Sequence, residues 1–139
     1  MGDRSGCFRR SGVGLEWEVR YGYCRALRTG DRIVVSGTTA TDDDGTVVAP
    51  GDAAEQTRYV LAKIERALIE LGASLDDVIR TRVFVRELAD WQAVAEVHGE
   101  VFRGRPPANT LMRADPIGEE HLVEIEAEAL AREAHREPC

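Results

Sequence analysis

The sequence Leu122-Val123-Glu124-Ile125-Glu126-Ala127 (LVEIEA) alternates strictly between apolar and acidic residues, and the alternation continues to Ala129. Successive side chains of a β-strand point to opposite faces of its sheet, so the pattern predicts a strand with one buried face and a row of carboxylates on the other. Upstream, Pro106-Pro107 begins an extended segment because proline disfavours helix. A turn at Asp115–Gly118 then predicts a hairpin between the two strands. The functional question is whether a carboxylate of this row does chemistry or only faces water.

Composition bounds the class of protein. The 139 residues, 43% hydrophobic and 31% charged, are typical of one globular domain. The net charge of -7 disfavours nucleic acid as a partner, because phosphate binding needs a basic surface. Neither an export signal nor a membrane span is expected, since Arg9-Arg10 is not followed by an apolar run. The three cysteines are odd in number and form no C-x-x-C pair, which predicts a reducing cytoplasmic location and no metal site.

The chain is expected to contain one folded domain with short flanking segments. Residues 1–13, rich in Gly, Ser and Arg, predict a flexible leader. Residues 14–131 carry the apolar patterns of a single domain, and residues 132–139 predict a charged tail.

Several short strands are predicted in the first half of this domain. Leu15–Val19 alternates apolar and polar residues like a half-buried strand. Residues 23–28 and Arg32–Ser36 flank Thr29-Gly30-Asp31, which predicts a hairpin. Asp42–Gly45 predicts a polar turn, and a short strand at Thr46–Ala49 would follow it.

A long helix is predicted after these strands. Asp52 and Glu55 have the spacing of an N-terminal capping box, although aspartate replaces the usual serine or threonine. Apolar residues then recur at steps of three and four as far as Leu71, and Gly72 ends the helix. Lys63 lies mostly off the apolar stripe and is assigned to the solvated surface.

A second strand-and-helix pair follows. Val78–Val85 predicts a long strand, and Asp90 is a candidate cap for a second helix. Trp91 is expected to pack in the core with the apolar stripe of this helix, and His98 lies beside that stripe as a packed or edge residue.

The element order is therefore β-β-β-α-β-α-β-β, an α/β (α+β) protein with a mixed sheet and two helices on one face. Apolar residues occur on both parities of the strands, as in Ile33 and Val35 against Val34. Two helices cover only one face, so the second face is expected to be buried against other subunits of a closed oligomer.

Several motifs together resemble the reactive intermediate deaminase (RidA/YjgF-like) family over about Tyr21 to Ala131. They are Arg32–Gly37, Arg80–Val85, Pro107–Thr110 and Val123–Ala127. The resemblance implies the chorismate-mutase-like (bacillus-type) sandwich and a homotrimer with a small-molecule ligand in each cleft between subunits. It also implies hydrolysis of reactive enamines and imines, such as 2-aminoacrylate, to keto acids and ammonia without a metal or organic cofactor.

The resemblance also suggests site residues. Glu124 matches the glutamate that orients the attacking water, and Tyr23 matches an aromatic pocket residue. Ser36 and Gly37 match the strand end whose backbone approaches the ligand. From pattern alone, a solvated strand face shared with Glu126 and Glu128 is favoured over a catalytic role for Glu124, whereas Tyr23 is equally compatible with a half-buried strand tyrosine.

One expected group is missing. In deaminating members an arginine follows Pro-Ala and holds the substrate carboxylate through two parallel hydrogen bonds. Here that position is Asn109, which is neutral and short. Leu111 makes the neighbouring wall more apolar. Arg113 shares the strand face of Asn109 and Arg25 lies two residues from Tyr23, so either is a candidate replacement.

Two functions follow from these residues. The first is an enamine or imine hydrolase (deaminase) that acts on a ligand other than a simple 2-aminoacrylate-type acid. The alternative is a non-catalytic trimer of the same fold that binds a small ligand. An endoribonuclease, a label often attached to this family, is disfavoured by the negative charge of the chain.

Overall fold

A six-stranded mixed sheet carries two long helices on one of its faces. The structure, a computed structural model, describes residues 8–12 and 16–131. The strands lie side by side in the order β1-β2-β3-β6-β4-β5, and every neighbouring pair is antiparallel except β4 and β5. In chain order the elements are β1 (Phe8–Ser11), α1 (Glu16–Tyr21), β2 (Ala26–Thr29), β3 (Arg32–Thr38), α2 (Ala53–Glu70), β4 (Val78–Val85), α3 (Trp91–Val101), β5 (Ala108–Arg113) and β6 (Val123–Leu130). The predicted α+β class is confirmed.

Helix α2 agrees with its predicted signals. The side chain of Asp52 accepts a hydrogen bond from the backbone N–H of Glu55, which caps the first turn. The apolar stripe is buried, and Gly72 follows the helix with a φ of +82°, a backbone angle that glycine adopts without a steric penalty. Among the described residues, no helix has both the length and the apolar character needed to cross a membrane.

Helix α3 begins differently from the prediction. A short 3-10 turn at Leu88–Asp90 precedes it, and Asp90 makes no side-chain capping hydrogen bond. Val94 and Val97 are buried as expected, but Trp91 is 46% exposed, so its predicted core position is wrong. Side chains of a helix tilt toward its N-terminus, and Trp91 is the first helical residue, so its ring points back beyond the end of the core.

The predicted strand at Leu15–Val19 is also wrong. Leu15 lies outside the described residues, and the residues from Glu16 form helix α1. Glu18 is buried at 3% exposure whereas Trp17 is 59% exposed, the reverse of what the alternation predicted. The rings of Trp17 and Tyr21, four residues apart, lie 5.3 Å from each other on the outside of the helix. Five alternating residues are too few to separate a strand from a short helix.

Part of the segment expected to be a flexible leader forms an edge strand. Residues 8–11 pair with β2 as β1. The buried Ser11 donates its hydroxyl hydrogen to the carboxylate of Glu70, and Arg9 donates to the backbone carbonyl of Glu70. Backbone pairing and these polar contacts position β1, so no apolar alternation marks it in the sequence. Residues 1–7, 13–15 and the predicted tail from 132 lie outside the described part of the chain.

The predicted hairpin between the last two strands does not form. β5 and β6 are both neighbours of β4, which lies between them and is parallel to β5. The Asp115–Gly118 turn therefore belongs to a crossing connection. The short strand predicted at Thr46–Ala49 is reduced to one isolated bridge between Thr41 and Val47.

The two faces of the sheet differ in chemistry. Ile33, Val35, Val83, Val85 and Ile125 are fully buried, and they belong to the face that packs against α2 and α3. The other face carries the three glutamates of β6 together with arginines and scattered apolar side chains, and Val34 on this face is 42% exposed. Burial of this face against other subunits stays a prediction.

Candidate functional site

The carboxylate of Glu124 lies directly over Gly37. The pairing of β3 with β6 is irregular between Val35 and Thr38, so that Gly37 falls in a bulge. A Cβ placed on Gly37 would come within 2.1 Å of Glu124 Oε2, a distance that no side chain tolerates. Glycine lets the carboxylate occupy this space, and a larger residue at position 37 would displace the Glu124 carboxylate.

Glu124 differs from the other two glutamates of the row. Glu126 accepts a hydrogen bond from Arg82 Nη1 at 2.8 Å, and Glu128 accepts one from Arg32 Nη2 at 3.0 Å. Glu124 is opposite Phe84 in β4, and no described residue forms a hydrogen bond or ion pair with it. The register of β6 against β3 and β4 thus leaves one carboxylate of the row without a partner in the described part of the chain.

Burial acts on the acidity of Glu124. Desolvation raises the pKa of this half-buried carboxyl above its usual range, the positive charge of Arg25 lowers the pKa, and Glu126 raises it. A carboxylate with a raised pKa and no protein partner is suited to accept a hydrogen bond or a proton from a bound water.

Arg25, which directly precedes β2, is the cation whose charge lowers the pKa of this carboxyl. Its Nη1 donates to the backbone carbonyl of Gly37 at 2.7 Å and to Thr38 Oγ1 at 2.9 Å. The guanidinium carbon lies 5.7 Å from the ring centroid of Tyr23, within the range of a cation–π contact. Tyr23 itself is exposed and precedes the strand, so its predicted placement as a half-buried strand residue is wrong.

Ser36 belongs to the same constellation. Its hydroxyl donates to the backbone carbonyl of Cys24 at 2.7 Å, and its N–H donates to the carbonyl of Arg25. These bonds tie the end of β3 to the residues that lead into β2. Four of the predicted site residues, Tyr23, Ser36, Gly37 and Glu124, are therefore grouped around Arg25.

The other three predicted site residues lie elsewhere in a single chain. Asn109, Leu111 and Arg113 are paired with β4 residues whose side chains point to the helix-covered face, whereas Glu124 is on the open face. Leu111 packs against the hydrophobic core, and Arg113 is exposed at the end of β5. β4 separates β5 from β6, which places the two strand axes about 10 Å apart.

Asn109 is engaged in a hydrogen-bonded chain. Its Nδ2 donates to Thr81 Oγ1 at 2.8 Å, and the same hydroxyl lies 2.8 Å from Nε2 of His98. An amide nitrogen can only donate, so Thr81 Oγ1 accepts from Asn109, and its own hydrogen is available to His98 Nε2 in the neutral tautomer that carries its hydrogen on Nδ1. Burial lowers the pKa of His98, in agreement with a neutral ring.

Two residues behind the site were missed by sequence reasoning. Lys63, assigned to the solvated surface, is half-buried, and its Nζ donates to the carbonyls of Thr39 and Thr41 at 2.8 Å each. Burial, reinforced by Arg25 and Arg66, lowers the pKa of Lys63 to about 8. His121 Nε2 lies 3.2 Å from Thr41 Oγ1. No spacing in the sequence signals these contacts, because they join α2 and a loop to the segment that follows β3.

Comparison with known proteins places the chain in a family. The family model described as endoribonuclease L-PSP matches residues 15–131. The chain belongs to the endoribonuclease L-PSP family. This is the RidA/YjgF family that the motifs resembled, and the predicted membership is confirmed.

Curated relatives in the L-PSP family include an enzyme. The 3-aminoacrylate deaminase RutC of Acinetobacter baylyi is 36% identical over 103 residues, which cover 74% of this chain and 82% of the relative. An uncharacterised protein of Streptomyces coelicolor is 38% identical over 122 residues, 87% of this chain and 90% of that protein.

A solved L-PSP-type structure has the same fold. The crystal structure of Rv2704 from Mycobacterium tuberculosis, a member of the YjgF/YER057c/UK114 family, has a TM-score of 0.80 and 39% sequence identity. The match covers 89% of this chain and 99% of that one. The fold class expected from the resemblance is therefore confirmed.

Proposed function

We propose that this protein hydrolyses a reactive enamine or imine and that Glu124 orients the attacking water. The observation that carries the proposal is the half-buried carboxylate of Glu124 over Gly37, which has a raised pKa and no partner among the described residues. Family membership and the 36% identity to a 3-aminoacrylate deaminase support this reaction class.

The reaction needs few groups from the protein. Water adds to the electrophilic imine carbon, the resulting carbinolamine releases ammonia, and a carbonyl compound remains. Glu124 would accept a proton from the attacking water and return one to the leaving nitrogen, so it ends in its starting state. A carboxyl with a raised pKa serves both steps better than a strongly acidic one, because it gives and takes the proton at a smaller free-energy cost. No metal or organic cofactor is part of the proposal.

The substrate is proposed to be other than a simple 2-aminoacrylate-type acid. Asn109 carries no charge, and its amide nitrogen is already bonded to Thr81. It therefore supplies no two-point clamp for a carboxylate attached directly to the reacting carbon. In 3-aminoacrylate, the substrate named for the relative, the nitrogen-bearing carbon is one atom further from the carboxylate, so this compound belongs at the head of any test panel.

The site is proposed to lie in a cleft between the subunits of a homotrimer in the cytoplasm. Asn109, Leu111 and Arg113 lie about two strands from Glu124 and on the opposite face within one chain. A neighbouring subunit that places its β5 against the Glu124 site would bring all the predicted residues to one ligand. Without that neighbour, the ligand has only the β2, β3 and β6 side of its site.

A non-catalytic trimer that binds a small ligand is the second candidate. The observation in its favour is the replacement of the expected clamp arginine by Asn109. Under this alternative the cleft keeps its ligand affinity, and Glu124 only shapes the pocket.

The test is hydrolysis of a panel of enamines and imines, with and without a carboxylate, by wild type, Glu124→Gln and Glu128→Gln. Glutamine keeps the shape and removes the charge, so Glu124→Gln should abolish turnover with ligand affinity within a few fold. Glu128→Gln is the matched control because it makes the same change on the same strand face, at a residue paired with the exposed Arg32. Equal turnover by wild type and Glu124→Gln would contradict the assignment, and no turnover on any panel member would favour the binding protein.

A further inference from the structure

Arg25, whose charge acts on the proposed catalytic carboxylate, has an Nε–Nη2 edge that no described residue uses. Both hydrogens of its Nη1 are used, one on the carbonyl of Gly37 and one on Thr38 Oγ1. No described residue accepts a hydrogen bond from Nε or Nη2. The N–H groups of Nε and Nη2 are parallel and form the edge of a guanidinium that binds a carboxylate through two hydrogen bonds.

The two bonds through Nη1 fix the orientation of this edge. Thr38 is fully buried, and its hydroxyl donates to the carbonyl of Ser36, so it is itself held in place. The guanidinium is therefore anchored at one nitrogen by the carbonyl of Gly37 and the hydroxyl of Thr38 at the β3 bulge. A pre-oriented donor pair binds an anion with less loss of side-chain entropy than a mobile arginine does.

The charged groups around Arg25 leave its positive charge available to an anion. Arg25 is close enough to lower the pKa of Glu124, yet no ion pair within 4.0 Å joins the two residues in the described structure. Arg25 also lowers the pKa of Lys63, whose Nζ is bonded to the carbonyls of Thr39 and Thr41. The carboxylate of Glu18 in α1 and the Arg25 side chain both contact the space beside Gly12, so an acidic group also faces the stem of Arg25.

We propose that Arg25 is a specificity-determining residue whose Nε–Nη2 edge binds the carboxylate of the ligand. It supplies, from the segment before β2, the cation that Asn109 does not supply from β5. Arg113 is not the replacement within one chain, because it lies on the helix-covered side of β5, with β4 between it and Glu124. The inference rests on the proposed function to the extent that Glu124 marks the ligand site.

A purely structural role for Arg25 makes a different prediction. That role needs only the Nη1 bonds to Gly37 and Thr38, and its loss would loosen the site for every ligand alike. A carboxylate-binding role weakens acids selectively. The two roles are separated by a pair of ligands that have the same size and differ in charge.

The experiment measures binding of propionate and propionamide by NMR titration, so it requires no turnover. Wild type should prefer the acid, and Arg25→Gln should weaken propionate by about ten- to a hundredfold, the scale of a lost charge-assisted hydrogen bond. Propionamide should change less than about threefold. Arg58→Gln is the matched control, because Arg58 is an exposed arginine of α2 paired with Glu55 and Glu100, and it should leave both affinities unchanged.

A measurement on wild type tests the proposal even where the Arg25→Gln variant does not fold. The Nε–Hε resonance of Arg25 should shift when propionate is added and stay in place with propionamide. No shift with propionate, or an equal loss of both ligands in Arg25→Gln, would overturn the proposal. An Arg25-dependent preference for propionate in a protein that hydrolyses no imine would leave this inference standing and reject the hydrolase.

Discussion

At the scale of single residues, burial and charge oppose each other at Glu124. Burial raises the pKa of the carboxyl, and Arg25 lowers it by a smaller amount. Since no described residue hydrogen-bonds the ionised form, Arg25 compensates this half-buried charge only in part. A site prepared for a ligand commonly carries such a local loss of stability.

Glu124→Gln should therefore stabilise the protein at about pH 7 while it abolishes turnover. Because the pKa of Glu124 is raised in the folded chain, the folded chain binds the carboxyl proton more tightly than the unfolded chain does. The stability that this proton contributes is therefore lost as the pH rises from the unfolded-state pKa through the folded-state pKa. Thermal unfolding of wild type and variant at about pH 7 and about pH 4 tests the sign of the change in stability. The gain in Tm should appear at the higher pH and vanish at the lower, whereas a lower Tm of the variant at about pH 7 would refute the argument.

The chain of Asn109, Thr81 and His98 gives a second prediction at this scale. Asn109→Asp replaces a donor by an acceptor, so the Thr81 hydroxyl turns to the new carboxylate and no longer donates to His98 Nε2. Protonation of His98 then gains both a hydrogen bond and a nearby negative charge, and its pKa should rise. An NMR titration of the imidazole measures it. Asn109→Ala is the control, in which the pKa should stay below the ordinary histidine value because burial is unchanged.

At the scale of elements, α2 positions residues 39–41, which follow β3 and the site. Lys63 on α2 donates to the carbonyls of Thr39 and Thr41, and His121 from the loop before β6 contacts the Thr41 hydroxyl. These residues lie directly after Gly37 and Thr38, which Arg25 holds from the other side. The geometry under Glu124 thus depends on contacts from α2, β2 and one loop.

Lys63→Met should lower the free energy of unfolding by about 1.5–3 kcal/mol, since two carbonyls lose charged donors. Urea denaturation measures the change. Arg58→Met on the same helix is the control and should cost well under about 1 kcal/mol, because the ion pairs of Arg58 are solvent-exposed. Equal losses in the two variants would mean that the Lys63 contacts contribute little.

The pH dependence of the Lys63 contribution has a defined sign. The pKa of Lys63 is about 8 in the folded chain against an ordinary value of 10.5, so the unfolded chain binds the ammonium proton of Lys63 more tightly than the folded chain does. The stability of wild type relative to Lys63→Met should therefore increase as pH rises from about 8 to 10.5. A relative decrease over this interval would contradict the lowered pKa.

At the scale of the whole molecule, the open face of the sheet mixes charged and apolar side chains. It combines the ion pairs Arg82–Glu126 and Arg32–Glu128 with the exposed apolar residues Val34, Met112 and Leu130. Paired charges between apolar side chains are compatible with burial against a second subunit, because the charges are already compensated.

Val34→Asp should dissociate the proposed trimer without unfolding the subunit, since Val34 is already 42% exposed in the single chain. Light scattering at micromolar concentration reports the mass, and circular dichroism reports folding. Ile69→Asp is the control because this side chain is 61% exposed on α2, on the helix side of the sheet. Dissociation by Ile69→Asp, or a wild type that is already monomeric, would refute this assignment of the interface.

Much of the fold was predictable from local patterns. The bounds of β4 were predicted as observed, and the start and end of α2 followed from Asp52 and Gly72. Such features depend on a few consecutive residues and the periodicity of one element. The strand predicted at Leu15–Val19 was wrong because five alternating residues do not separate a strand from a short helix, and the residues from Glu16 form α1.

The candidate site was only partly predictable. The family motifs selected Glu124, Ser36 and Gly37, and the structure groups them around Arg25. Lys63 and His121 had no signal, since their partners are backbone carbonyls and a hydroxyl of a distant loop. Backbone groups are the same at every position, so a sequence does not show which carbonyl will lack a partner and recruit a side chain.

The sequence by itself determined that β6 presents a row of carboxylates opposite a buried apolar row, because side-chain direction in a strand depends only on parity. The alternation alone makes Glu124, Glu126 and Glu128 equivalent. The tertiary structure separated them: β4 lies between β5 and β6, Arg82 faces Glu126, and the bulge at Gly37 opens space for Glu124. Strand order and register arise from long-range pairing of the whole sheet, so only the folded chain decides which carboxylate remains available to a ligand.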